Sequence, residues 1–166
     1  LMVTATSFMF YSLQKFDLVD IYVVFFTAPL IVSLLSAYFL KDILSTKGIL
    51  LMLLSFGSIV YSLGPSMRIF SLDLIFPIVP PICWALYQFF TKVVSGDNDP
   101  FAAIFYTSIL GAIIFSIFIF FNWVPLEKNI FWLYLVILGV AGFVSHSLII
   151  YAIQLSNLSF VTNFQY

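Results

Sequence analysis

Every charged side chain in this sequence falls into one of five short clusters, and the intervals between the clusters are long, apolar and uncharged. The clusters occupy residues 15–20, 41–47, 68–73, 92–99 and 127–128. Between them lie residues 21–40, 48–67, 74–91 and 100–126. Each interval supplies the roughly 20 apolar residues that, at about 1.5 Å rise each, carry a helix across a hydrocarbon core of about 30 Å. The runs are continuously apolar and lack the short two-residue alternation of a membrane barrel, so the helix is the spanning element expected. With 63% of its residues hydrophobic and 8% charged, the chain could not cover its apolar surface in water, where an average domain is about a quarter charged. The fold class that follows is all-α, a polytopic membrane helix bundle.

Seven hydrophobic segments are expected, near residues 1–14, 19–40, 48–66, 74–93, 101–121, 130–152 and 158–166. The last two come from one uncharged stretch too long for a single helix, divided at the polar run Gln154-Leu-Ser-Asn157. The first and last are too short to cross a bilayer, and residue 1 opens inside an apolar run without the charged region of a cleavable signal. The chain therefore reads as an internal piece of a longer protein. A net charge of −1 excludes the strongly basic face of a nucleic-acid binder, and the single cysteine, Cys83, excludes a disulfide framework or a cysteine metal site. No cofactor or metal is implied. The expected partners are a small-molecule solute and the lipid bilayer, with a homodimer left open.

Sliding the chain against itself by 140 positions aligns Ser7, Tyr11, Gln14 and Leu18 with Ser147, Tyr151, Gln154 and Leu158, and sets Asp17 against Asn157. In both copies the polar residues close one span, and the next begins after a short turn. The first segment thus maps onto the sixth, five spans later. Five is odd, so the two copies would lie upside down with respect to each other, as inverted repeats of secondary transporters do.

The run Tyr11-Ser-Leu-Gln, then Thr27-Ala-Pro29-Leu30, then Leu34-Leu-Ser-Ala-Tyr-Phe-Leu40-Lys-Asp42, with a span opening at Gly48, resembles the drug/metabolite transporter superfamily, specifically its EamA-type members. In that family Glu is commoner where Asp42 stands. The resemblance implies two five-helix halves around a central cavity, and transport of small metabolites by alternating access. It makes residues 1–70 the C-terminal part of the first half (helices 3–5 of ten) and residues 71–166 the N-terminal part of the second (helices 6–9). It also implies a multi-pass protein of the cell membrane, above all the bacterial inner membrane, with the 41–47 turn in the cytoplasm. Positive charge does not orient the chain: Lys41, Lys47 and Lys92 fall on one side, and Lys15, Arg68 and Lys128 on the other.

Candidate site residues are the polar ones that lipid would not solvate. Thr4, Ser7, Tyr11 and Gln14 share one helical face, which should turn to protein or to an aqueous cavity. Trp84, Tyr87 and Gln88 could face one ligand, on a span whose Pro77, Pro80 and Pro81 would interrupt its entry; an interfacial anchor beside Lys92 is the plainer alternative. His146 is the lone histidine and lies mid-span, suited to substrate contact or to a structural hydrogen bond, with a proton relay the less favoured reading. Gly139 and Gly142 suggest a close-packing face. Pro29, mid-span, would free a carbonyl or kink the helix. Tyr11, Pro29, Trp84, Tyr87, Gln88 and His146 are thus the expected solute-contact residues, and Gln14 and Gln154, closing equivalent spans, the expected gate. No catalytic residue is expected. An intramembrane enzyme needs a nucleophile with a base or several metal ligands, and His146 has no second histidine or acid within a complete span. A scaffold subunit is the other alternative, though it has no need of an inverted duplication.

Overall fold

The structure, a computed structural model, describes residues 1–42, 46–63, 73, 75–94, 100–121, 123–162 and 164–165. The charges expected on turns at Arg68, Asp97 and Asp99 lie outside the described residues, as does the end of the expected 48–66 span. The regular structure among the described residues is helical: α1 (Met2–Ser12), α2 (Leu18–Phe25), α3 (Ala28–Leu35) with a π turn (Ser36–Leu40), α4 (Thr46–Leu63), α5 (Ile75–Val94), α6 (Pro100–Phe121), α7 (Ile130–Leu155) and α8 (Leu158–Thr162).

The second expected span is two helices in line. Pro29, near the start of α3, has no amide hydrogen to return to the carbonyl four residues back, and the chain breaks at Phe26 and Thr27. The Thr27 hydroxyl compensates by donating to the Val24 carbonyl at 2.7 Å. The far end widens into the π turn and stops where Lys41 takes the left-handed conformation, φ 55°. Asp42 closes that end twice: its amide donates to the Ser36 carbonyl at 3.4 Å and its carboxylate accepts the buried Ser36 hydroxyl. Together residues 18–40, with α6 and α7, are long and apolar enough to cross a membrane by length and composition.

Two boundaries differ from expectation. The prolines of α5 do not interrupt it: the helix runs unbroken from Ile75 to Val94 with Pro80 and Pro81 fully buried inside it. Both lie within its first two turns, so the carbonyls they leave without donors are those nearest the helix start. The other difference is that α7 continues to Leu155, so that Gln154 lies in its last turn. The extension is held by Lys92, whose ammonium donates to the carbonyls of Ile153 and Ser156 at 2.7 Å each. A helix end carries unsatisfied carbonyls and partial negative charge, and Lys92 answers both.

α5 is the hub, touching α1, α2, α3 and α7. The core gathers Val32 of α3, Ala85 of α5, Ile153 of α7, and Leu158 and Val161 of α8. A buried hydroxyl pair, Ser33 and Thr162 at 2.8 Å, ties α3 to α8 where no water could substitute. The outward surfaces of α6 and α7, with Ile113, Ile117, Phe120, Leu135 and Leu138 exposed, offer aliphatic and aromatic groups to lipid. This is a membrane helix bundle.

Both ends of α5 are tied to other helices. Just ahead of its start, Asp73 receives the Lys15 ammonium from the turn after α1 at 2.7 Å. At its end, Lys92 holds the end of α7. The helices that align in sequence, α1 and α7, therefore finish at opposite ends of α5.

Candidate solute site

Trp84 and Tyr87 stand three residues apart on α5 and so share a face. Their rings stack with centroids 5.8 Å apart. α7 brings the His146 imidazole against both, 5.3 Å from Trp84 and 5.6 Å from Tyr87. Phe25 of α2 closes the far side of Trp84 at 6.2 Å. Within this aromatic cluster two buried polar atoms have no hydrogen-bond partner, Tyr87 Oη and His146 Nε2. The hydroxyls of Thr107 and Thr91 lie beside that of Tyr87; their own protons go to backbone carbonyls, at 2.7 Å from Thr107 to Ala103 and 2.7 Å from Thr91 to Tyr87, which leaves their oxygens able to accept from the phenol. A buried polar group left unsatisfied costs about 1–3 kcal/mol, so the His146 nitrogen calls for an explanation.

His146 also forms part of the wall of a groove of about 370 Å³ between α1, α6 and α7. Thr6 of α1 and Thr107 and Ser108 of α6 contribute hydroxyls, while Met2, Ile104, Phe115 and Phe143 supply apolar wall. Gly111, Gly139 and Gly142 line it as well. A methyl group added at Gly139 or Gly142 would meet nothing within 4 Å, and at Gly111 only Val3 Cγ2 at 4.0 Å. Among the described residues no neighbour lies against Gly139 or Gly142 as close packing would require, and both line the groove instead.

The other expected site residues are dispersed. Gln88 is fully buried and separated from the Trp84 and Tyr87 surface by its bonding: its amide and that of Gln165 exchange hydrogen bonds of 3.2 and 2.8 Å. Tyr11 is 41% exposed at the other end of α1, its ring 4.5 Å from Phe76 and capped by the Lys15 ammonium at 5.5 Å. The polar face of α1 is exposed at Thr4, Ser7, Tyr11 and Gln14. The helix buries Ala5 and Ser12 instead, small residues that allow a close approach. Pro29 is buried at the start of α3. The Lys92 ammonium is bonded to the carbonyls of Ile153 and Ser156 at the end of α7. Gln14 is exposed in the turn after α1, and Gln154 half-buried in the last turn of α7.

Sequence reasoning selected Trp84, Tyr87 and His146 without placing them together, and it missed Thr6, Thr107 and Ser108. The available signal in α6 was Thr107 and Gly111, four apart and on one face, in a helix otherwise rich in Phe and Ile.

The profile of the EamA-like transporter family matches residues 72–166, the stretch that includes α5 to α8. No curated protein and no solved structure matches the chain.

Proposed function

The chain belongs to the EamA-like transporter family, membrane transporters of small solutes, and on that premise we propose that it is a secondary carrier working by alternating access, with the groove between α1, α6 and α7 as part of its solute site. The observation that carries the reading is His146, which lines the groove while its Nε2 makes no hydrogen bond to the described residues. His146 thus brings an imidazole, able to donate or accept a hydrogen bond, to the wall of an otherwise uncharged groove.

Alternating access by inverted halves, residues 1–70 and 71–166, draws support from the helix starts. α2 begins at Leu18 and α8 at Leu158, the 140-residue offset of the repeat. Their first turns close with equivalent bonds, Ile21 to the Asp17 carbonyl and Val161 to the Asn157 carbonyl, both 3.2 Å. The helices preceding them end at opposite ends of α5, the relation that inverted copies require. Placement in the cell membrane with several spans goes with this reading, and an intramembrane enzyme has no specific observation in its favour.

Flux of a solute panel in proteoliposomes carrying the full-length protein tests the proposal. Gly142→Leu adds bulk to the groove wall where an added Cβ meets nothing within 4 Å, and should lower flux roughly tenfold or more at unchanged membrane abundance. Flux that ignores the filled groove would remove it from the pathway.

A further inference from the structure

We infer that the groove lies on the axis relating the two inverted copies, with Thr6 as the counterpart of His146, and that it receives a small uncharged solute between them. The inference deepens the transport reading and rests on it for its purpose.

Position carries the first step. The groove takes Met2, Val3 and Thr6 from α1, and Gly142, Phe143 and His146 from α7. Each residue of the first set stands 140 positions before one of the second. The offset itself comes from residues that do not line the groove, Ser7, Tyr11, Gln14 and Leu18 against Ser147, Tyr151, Gln154 and Leu158. Two helices that turn equivalent residues to one space are related by a two-fold axis through it. α1 and α7 also finish at opposite ends of α5, as inverted copies do. With the groove centred between residues 2–6 and 142–146, antiparallel helices leave Thr6 and His146 about 6 Å apart along their axes, within reach of one small molecule.

Chemistry carries the second step. The Thr6 hydroxyl makes no hydrogen bond to the described residues, and a hydroxyl both donates and accepts. Among the described residues that line the groove there is no Asp, Glu, Lys or Arg. An ion entering it would give up hydration with no opposite charge in return. A wholly apolar occupant would strip water from the Thr6 hydroxyl without replacing its bonds. At about 370 Å³ the space lies at the small end of the range of about 300–1,000 Å³ usual for small-molecule sites.

Thiol chemistry tests both steps without transport. Cysteine-free full-length protein in nanodiscs, Cys83→Ser included, carries Thr6→Cys or His146→Cys. Three reagents of similar size are compared: the 2-hydroxyethyl, 2-sulfonatoethyl and 2-trimethylammonioethyl methanethiosulfonates. Each rate is normalised to the same reagent acting on a simple thiol in water. The neutral reagent should modify both cysteines, at least tenfold faster than either charged one, and should outpace a cysteine at Val144, which is exposed outside the groove. With Thr6→Cys and His146→Cys together, a three-carbon bifunctional methanethiosulfonate should join the two, as read by mass spectrometry. Thr4→Cys with Val144→Cys, a repeat pair that does not line the groove, should stay unjoined. Charged reagents as fast as the neutral one would overturn the solute class. A control pair joined as readily, or no junction at Thr6 and His146, would overturn the axis. Silence at both cysteines would close the groove to solutes and overturn the inference outright. None of these outcomes is read through flux, so the carrier reading stands or falls separately, on Gly142→Leu.

Discussion

The Tyr87 ring and the His146 imidazole lie 5.6 Å apart with their planes 30° from parallel. Their contact joins the central helix of the bundle to the one that walls the groove. The residues on either side of it divide into those that hold the bundle together and those left free to meet a solute.

Gln88 belongs to the first group. Its amide is buried and bonded both ways to Gln165, so Gln88→Ala should reduce stability by about 1–3 kcal/mol by stranding its partner. Abundance and solute flux should then fall together. Gln88→Ala with Gln165→Ala should cost less than the two separate losses added. Thermal denaturation in detergent measures all three variants. A single mutant of wild-type stability that has lost flux alone would return Gln88 to the solute site.

Lys92 holds the end of α7 through backbone carbonyls. Lys92→Met keeps the aliphatic stem and removes the donors, leaving the last-turn carbonyls of a partly buried helix end without their cation. The expected cost is about 1.5–3 kcal/mol, the range for hydrogen bonds to charged groups. Hydrogen exchange should show the loss concentrated at residues 150–156, with Lys92→Arg close to wild type. Unchanged protection there would mean that the end of α7 is held by its packing alone.

Three of the expected spans, at residues 18–40, 101–121 and 130–155, were legible because lipid imposes a severe rule, long uncharged runs with charge confined to turns; α4 and α5 fall short of it among the described residues. Fine placement was another matter. His146 and Tyr87 are far apart in sequence, and no local pattern states that α7 sets one against the other. Gly139 and Gly142, three apart, share a face that suggested packing, but a glycine facing open space and one facing a helix are written with the same letter. Lys92 stands at a span end beside aromatic residues, which suggested that those residues anchor at the interface, and only the extension of α7 shows what the lysine binds. The polar face of α1 misled for a related reason: periodicity identifies a face, and the partner decides which face is buried.

Lys15 supplies a pH test. Its hydrogen bond to the Asp73 carboxylate, aided by the charge of Asp73 and partly opposed by desolvation, raises its pKa above the ordinary 10.5. A basic group whose folded pKa is raised stabilises the fold fully below its unfolded value, and the contribution is lost as pH rises through the folded value. The tie between α1 and α5 should therefore be indifferent to pH from 6 to 9 and weaken above about 10.5. The pair is solvent-exposed, so the effect should be small and should shrink with salt. Melting curves of wild type and Lys15→Met should accordingly converge at the alkaline end. Curves that stay a constant distance apart would show that Lys15 acts through its contact with the Tyr11 and Phe76 rings.

Gln14 and Gln154 test fold and mechanism together. Gln14 is exposed in the turn that carries Lys15, at the start of α5; Gln154 lies in the last turn of α7, at the other end. Inverted halves would place each amide near one mouth of the pathway. Ordinary capping also explains a glutamine at a helix end, since its amide can satisfy free carbonyls without moving. Cysteine substitution separates the two, and the structure makes the replacement mild. Lys92 reads the backbone near Gln154, with its carbonyl at 3.5 Å, and the Gln14 amide hydrogen goes to the Tyr11 carbonyl at 3.2 Å; both contacts survive a change of side chain. If the two positions gate alternately, a transported solute should raise the thiol reactivity of one and lower that of the other, because a ligand shifts a conformational equilibrium only through its different affinity for the two states. A twofold opposite change at saturating solute would suffice. Reactivities that stay fixed, or move in the same direction, would leave both glutamines as caps.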